Sequence, residues 1–217
     1  MKHQLALLII LSSLLATGCS KASESTNAET EASTVQSQKA SKKFSPEDQK
    51  IIDKYNKELE YLTLEEDEKF HARMKNLIPE INKISDKAER EKNLMNIYLV
   101  VGMNEEAYAL NEKQLKEKPN DTARLTFRCQ LLTLQKKEST LINKCYDNVA
   151  DVLKVELDKP ENKRDPDYKI GEFSYLYAKY KAGHPEYKEK MQEYIAETKD
   201  EKLKATLTSL YNVEFEN

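Results

Sequence analysis

From Pro46 onward, apolar residues recur at steps of three and four, the spacing that gathers side chains on one face of an α-helix. Ile51, Ile52, Tyr55, Leu59 and Leu62 form one such stripe, and Phe70, Met74, Leu77, Ile78, Ile81 and Ile84 form the next. Ser45 followed by Pro46, Glu47 and Asp48 reads as a helix start. It offers a capping hydroxyl, a proline where no amide donor is needed, and two acids facing the positive end of the helix dipole. Pro79 falls inside the second stripe and predicts a kink or break near it, because proline has no backbone N–H to donate. The pattern continues through Leu203, Leu207, Leu210 and Tyr211. With only four glycines and six prolines in 217 residues, the chain reads as all-α: antiparallel helix hairpins, stacked as a solenoid or packed as a bundle.

The middle of the chain carries an internal pattern. Tyr98, Leu99, Gly102, Ala107, Tyr108, Leu115 and Pro119 lie within one helix-turn-helix unit running from Leu94 to Pro119. This unit resembles a tetratricopeptide repeat, in which a glycine closes the first helix, a small residue follows five places on, and a proline ends the second helix about seventeen places after the glycine. A second unit in that frame starts at Thr122, with Leu125, Phe127, Leu131, Leu132 and Leu134 on one helix and Leu141, Ile142, Val149 and Leu153 on the next. No glycine closes its turn around Lys136 and Lys137. A third echo, with Phe173, Tyr175, Leu176, Tyr177, Tyr180 and Gly183 before Tyr187, Met191, Tyr194 and Ile195, is out of register after the loop from Pro160 to Pro166. The resemblance implies a TPR-like stack of hairpins; a plain helical bundle is the alternative.

The N-terminal pattern differs. One lysine precedes an apolar run from Leu5 to Leu15 that is broken by two serines, and the small residues Ala16, Thr17 and Gly18 lead to Cys19. The run is shorter than the roughly 20 residues a spanning helix needs, so residues 1–18 read as a signal peptide. The cysteine after Ala-Thr-Gly resembles the lipobox of bacterial lipoproteins, although Ala16 fills the position where that family usually has leucine. The resemblance implies lipidation at Cys19, and Ser20 after it implies the outer membrane, periplasmic face. Acyl chains contribute about 0.8 kcal/mol per buried methylene, enough on more than one chain for stable attachment. From residue 19 to 45 the chain is rich in Ser, Ala, Glu, Lys and Thr and reads as a flexible tether. The helical domain is expected over 46–217.

Export changes the reading of the two remaining cysteines. In an oxidising periplasm Cys129 and Cys145 are expected to pair, and under the repeat frame they stand on facing helices. Their spacing is unlike the close pair of a redox enzyme. After His3 is removed, His71 and His184 stand apart from each other and from any cluster of metal ligands, so no metal or other cofactor is expected. Neither a nucleophile elbow nor a phosphate loop occurs, and no catalytic residue can be named. The balance of 35 basic and 38 acidic residues, interspersed along the helices, offers no basic stripe for nucleic acid. Twelve tyrosines and no tryptophan remain, with a concentration near the C-terminal end, and Tyr177 and Tyr180 are the candidates for exposed partner-binding anchors.

These features describe a membrane-anchored, non-enzymatic domain that binds a protein partner. By architecture it resembles the immunity lipoproteins, whose partner is a toxic effector delivered to the periplasm, such as a type VI secretion phospholipase. The alternative is a scaffold or adaptor lipoprotein of envelope assembly.

Overall fold

The computed structural model describes residues 43–61 and 67–215. The expected signal peptide, Cys19 and nearly all of the tether lie outside those residues. Among the described residues there are nine α-helices, one short 3-10 helix and no strand. The fold is all-α, with neighbouring helices stacked on one another. None of these helices is long and apolar enough to cross a membrane.

The chain divides into two compact units at Ile97 and Tyr98. A single domain over 46–217 was expected, and the sequence gives no sign of a boundary because one helix, α3 (Lys87–Val100), runs through it unbroken. In the first unit, α1 (Pro46–Leu59) and α2 (Asp67–Ile81) pack as an antiparallel pair. Helix α1 begins at the expected place, where the Asp48 amide donates to Ser45 Oγ at 3.0 Å. The Asp48 carboxylate accepts from the Ser85 amide at 2.8 Å and from its hydroxyl at 2.6 Å, tying the start of α1 to the turn after α2. Ion pairs of Lys54 with Glu80 (2.5 Å) and of Arg73 with Glu58 (2.7 Å) run along the α1–α2 seam. Ile52, Tyr55, Phe70, Met74, Leu77, Ile81 and Ile84 are buried, as their helical spacing predicts. Pro79 sits inside α2, which ends two residues later at Ile81.

In the second unit the helices after α3 are α4 (Asn104–Glu117), α5 (Thr122–Leu134), α6 (Ser139–Leu157), α7 (Tyr168–Lys181), α8 (Tyr187–Glu197) and α9 (Glu201–Phe215), with the 3-10 helix Pro160–Arg164 between α6 and α7. Each of α4 to α8 packs on the next in sequence. One core cluster joins Leu125 and Cys129 of α5, Tyr146, Val149, Ala150 and Leu153 of α6, and Ala178 and Ala182 around the end of α7. A second cluster joins Phe173 of α7, Met191 of α8, and Leu207 and Tyr211 of α9. Tyr177 packs against both.

Three turns of this unit share one hydrogen-bond pattern. Gly102, Lys136 and Gly183 all have positive φ, at 73°, 55° and 101°. Each donates its amide to the carbonyl three residues back, and the following residue donates to the carbonyl five residues before itself. The second set of bonds runs from Met103 to Tyr98, Lys137 to Leu132 and His184 to Lys179, at 2.7, 3.0 and 3.3 Å. This is the Schellman termination, in which a left-handed residue turns the chain so that the last helical carbonyls are satisfied. Lys136 follows Gly102 by the 34-residue period of the tetratricopeptide family. The turn that lacks a glycine in sequence is therefore built on the same backbone path, with lysine accepting the left-handed conformation.

Candidate partner interface

The sides of α5 can be assigned from its contacts. Arg128 pairs with Glu112 of α4 through two bonds of 2.6 and 2.7 Å, and Arg124 reaches Gln114 of the same helix. Leu125 and Cys129 turn instead toward α6 and α7. At about 100° per residue, Ala123, Thr126, Gln130, Thr133 and Leu134 fall on a third side, away from both. Counting back from the left-handed residue of each turn, Gln130 lies six places before Lys136, and Tyr177 lies six places before Gly183. Gln130 and Tyr177 thus occupy equivalent positions on the first helices of successive hairpins. Tyr180 and Lys181 follow on α7 where Thr133 and Leu134 stand on α5.

On α7 this side carries a closed polar network. The Tyr177 hydroxyl donates to Glu214 Oε2 of α9 at 3.2 Å, and Lys181 Nζ donates to Glu214 Oε1 at 2.6 Å. The rings of Tyr146 and Tyr177 meet edge to face with centroids 6.3 Å apart, and the Lys181 ammonium lies 5.9 Å from the Tyr177 ring. Burial pushes the phenols of Tyr177 and Tyr146 well above the usual tyrosine range, and the negative charge of Glu214 adds to the shift for both. Tyr180 meets Phe215 edge to face, with ring centroids 4.9 Å apart. Tyr177 and Tyr180 were expected to stand out as exposed anchors. The structure half-buries both, because α9 folds back over α7 and supplies Glu214 and Phe215 as their partners.

On α5 the equivalent side is polar but unsatisfied. Gln130 is buried, with 6% of its surface exposed. Neither its amide nitrogen nor its carbonyl oxygen finds a hydrogen-bond partner among the described residues. Asn111 of α4 is also buried, yet its Nδ2 donates to the Arg124 carbonyl at 3.1 Å, leaving only Oδ1 without a partner. A buried polar atom without a partner costs roughly 1–3 kcal/mol, so the two atoms of Gln130 are expensive for the free domain. Sequence reasoning passed over this residue, since glutamine inside an amphipathic helix looks like any other polar position.

Cys129 and Cys145 are joined in the structure, with Cα atoms 5.6 Å apart, and the bridge links α5 to α6. Beside it, Lys179 Nζ of α7 donates to Asp147 Oδ1 of α6 at 2.8 Å, and His184 Nε2 stands 3.6 Å from the same oxygen. Lys179 holds the Asp147 carboxyl below its ordinary range, and Asp147 in turn raises Lys179. His71 lies in the first unit, in ring contact with Phe70. Among the described residues no group of three or more His, Cys, Asp or Glu side chains could hold a metal ion. Cys19 lies outside the described residues. No family model, curated protein or solved structure matches the chain.

Proposed function

We propose that this protein is an exported lipoprotein, anchored through Cys19 at the periplasmic face of the outer membrane, whose helical domain binds and neutralises a toxic protein effector acting in the periplasm. An effector that attacks lipid, such as a phospholipase of the type VI secretion system, fits a guard held at the membrane it protects. The observation that carries the partner-binding part is the run of successively packed helices α4 to α9, in which the like turns at Lys136 and Gly183 repeat the first-helix side carrying Gln130 and Tyr177. Stacked hairpins give extended side-chain surfaces suited to proteins. A tether of some 25 residues confines such a surface near the membrane and raises its effective concentration there. The lipobox-like segment supports the anchoring part.

The same stack also suits a scaffold or adaptor of envelope assembly, so the partner decides between the two readings. The test is affinity capture from membranes with the intact lipidated protein beside a secreted Cys19→Ala form, followed by identification of what is retained and assay of its activity. A toxic effector whose activity falls on binding is the expected result. Recovery of envelope-assembly proteins alone would replace immunity with the scaffold role.

A further inference from the structure

We propose that Glu214 and Phe215 are an internal ligand, and that the side of α7 they cover receives a segment of the protein partner carrying a carboxylate beside an aromatic ring. The inference rests on the partner-binding reading and names the chemistry that reading leaves open. On the receiving side the donors are Lys181 Nζ, 2.6 Å from Glu214 Oε1, and the Tyr177 hydroxyl, 3.2 Å from Glu214 Oε2. The Phe215 ring meets those of Tyr180 and Tyr211, with centroids 4.9 and 4.4 Å away, and the Lys188 ammonium stands 4.6 Å from its centre. Together these groups match one acid and one ring at adjacent positions of a chain. Charged groups in a seam lose hydration, and apolar side chains of similar volume would hold α9 at least as well. Ammonium and phenol donors select instead for an acid. The contact is also within reach of solvent: Lys181 keeps 27% of its side chain exposed, Glu214 keeps 14%, and Lys188 is exposed. Both ligand residues stand in the last turn of α9, and the end turn of a helix opens at low cost. On release Glu214 regains water while the partner's carboxylate takes its place at Lys181, so no ion is left buried and unpaired. One acid and ring replace another, and the partner's remaining contacts tip the exchange.

The test uses the mature chain from residue 20 onward as wild type, as the double variant Glu214→Gln/Phe215→Ala, and as that double variant with Lys181→Met added. The probe is a fluorescein-labelled peptide of residues 206–217, titrated by fluorescence anisotropy beside the same peptide carrying Glu214→Gln or Phe215→Ala. Circular dichroism and thermal melts of the proteins are recorded without peptide. The double variant is expected to keep its helix content and to bind the probe about tenfold or more tightly than wild type, whose own residues compete for the site. Either substitution in the peptide, or Lys181→Met in the protein, should weaken that binding by about tenfold. Equal binding by wild type and the double variant, no binding by the double variant, or indifference to the peptide substitutions would each overturn the assignment. Loss of the fold in the double variant would overturn it too, because an internal ligand must be separable from the domain it covers. A toxic effector captured from membranes equally well by the full-length protein and its Lys181→Met form would remove this site and leave neutralisation standing. Probe binding as expected with no effector captured would uphold the site and remove the neutralising role.

Discussion

Asp48 sits in the first turn of α1, where a carboxylate is favoured by the helix dipole, and it also accepts two hydrogen bonds from Ser85. Those bonds from Ser85 hold its carboxyl below the ordinary aspartate value. A depressed folded-state value means that the stabilisation is complete above the unfolded value, near ~3.9, and is lost as pH falls through the folded one. Asp48→Ala should therefore melt lower than wild type at neutral pH, with the gap closing below about pH 4; thermal melts across a pH series would check it. The capping part of this arrangement was legible, because Ser45, Pro46 and two acids stand in the right order. Ser85 was not, since a contact across 37 residues depends on how α2 ends. The tyrosines show the same limit. Their spacing put Tyr177 and Tyr180 on a helix, but only the return of α9 decides that Glu214 and Phe215 cover them.

Hairpin turns carry the clearest regularity among the elements. Gly102 could be read as a helix terminator from its place ahead of Ala107 and Pro119, whereas Lys136 could not, because lysine seldom adopts positive φ. The shared hydrogen-bond pattern implies strain at Lys136 that glycine would relieve. Lys136→Gly should raise stability by about 1 kcal/mol, read from urea unfolding midpoints. The two glycines should differ in the opposite experiment. A Cβ at Gly102 meets open space, while one at Gly183 would lie 2.9 Å from the Asn143 amide nitrogen, so Gly183→Ala should destabilise more than Gly102→Ala. The α5–α6 hairpin has a further constraint in the Cys129–Cys145 bridge, whose members are 16 residues apart in sequence. On the chain-entropy account, replacing both cysteines by alanine should cost about 3 kcal/mol in the same unfolding experiment. The expectation of export and the repeat frame pointed to this pair, and helix periodicity placed both residues on consecutive elements.

For the whole molecule, helical class was written plainly in the three-and-four spacing, in the scarcity of glycine and proline, and in the capping residues. The division at Ile97 was not, because α3 crosses it without a proline, a glycine or a change in composition. The repeat frame marked the helices that end at Gly102 and Gly183, but the burial of Gln130 without a partner among the described residues is a tertiary property that spacing does not carry. The proposed reading joins a lipobox-like sequence at Cys19, a polar stretch after it and the stacked helices of the described residues into a guard stationed at a membrane. The most direct measurement is survival of cells that export to the periplasm a toxic effector captured by this protein. Full-length protein should restore growth, and the form locked by Cys19→Ala away from the membrane should protect less at equal abundance. Killing that proceeds unchanged in the presence of the full-length protein would contradict the account.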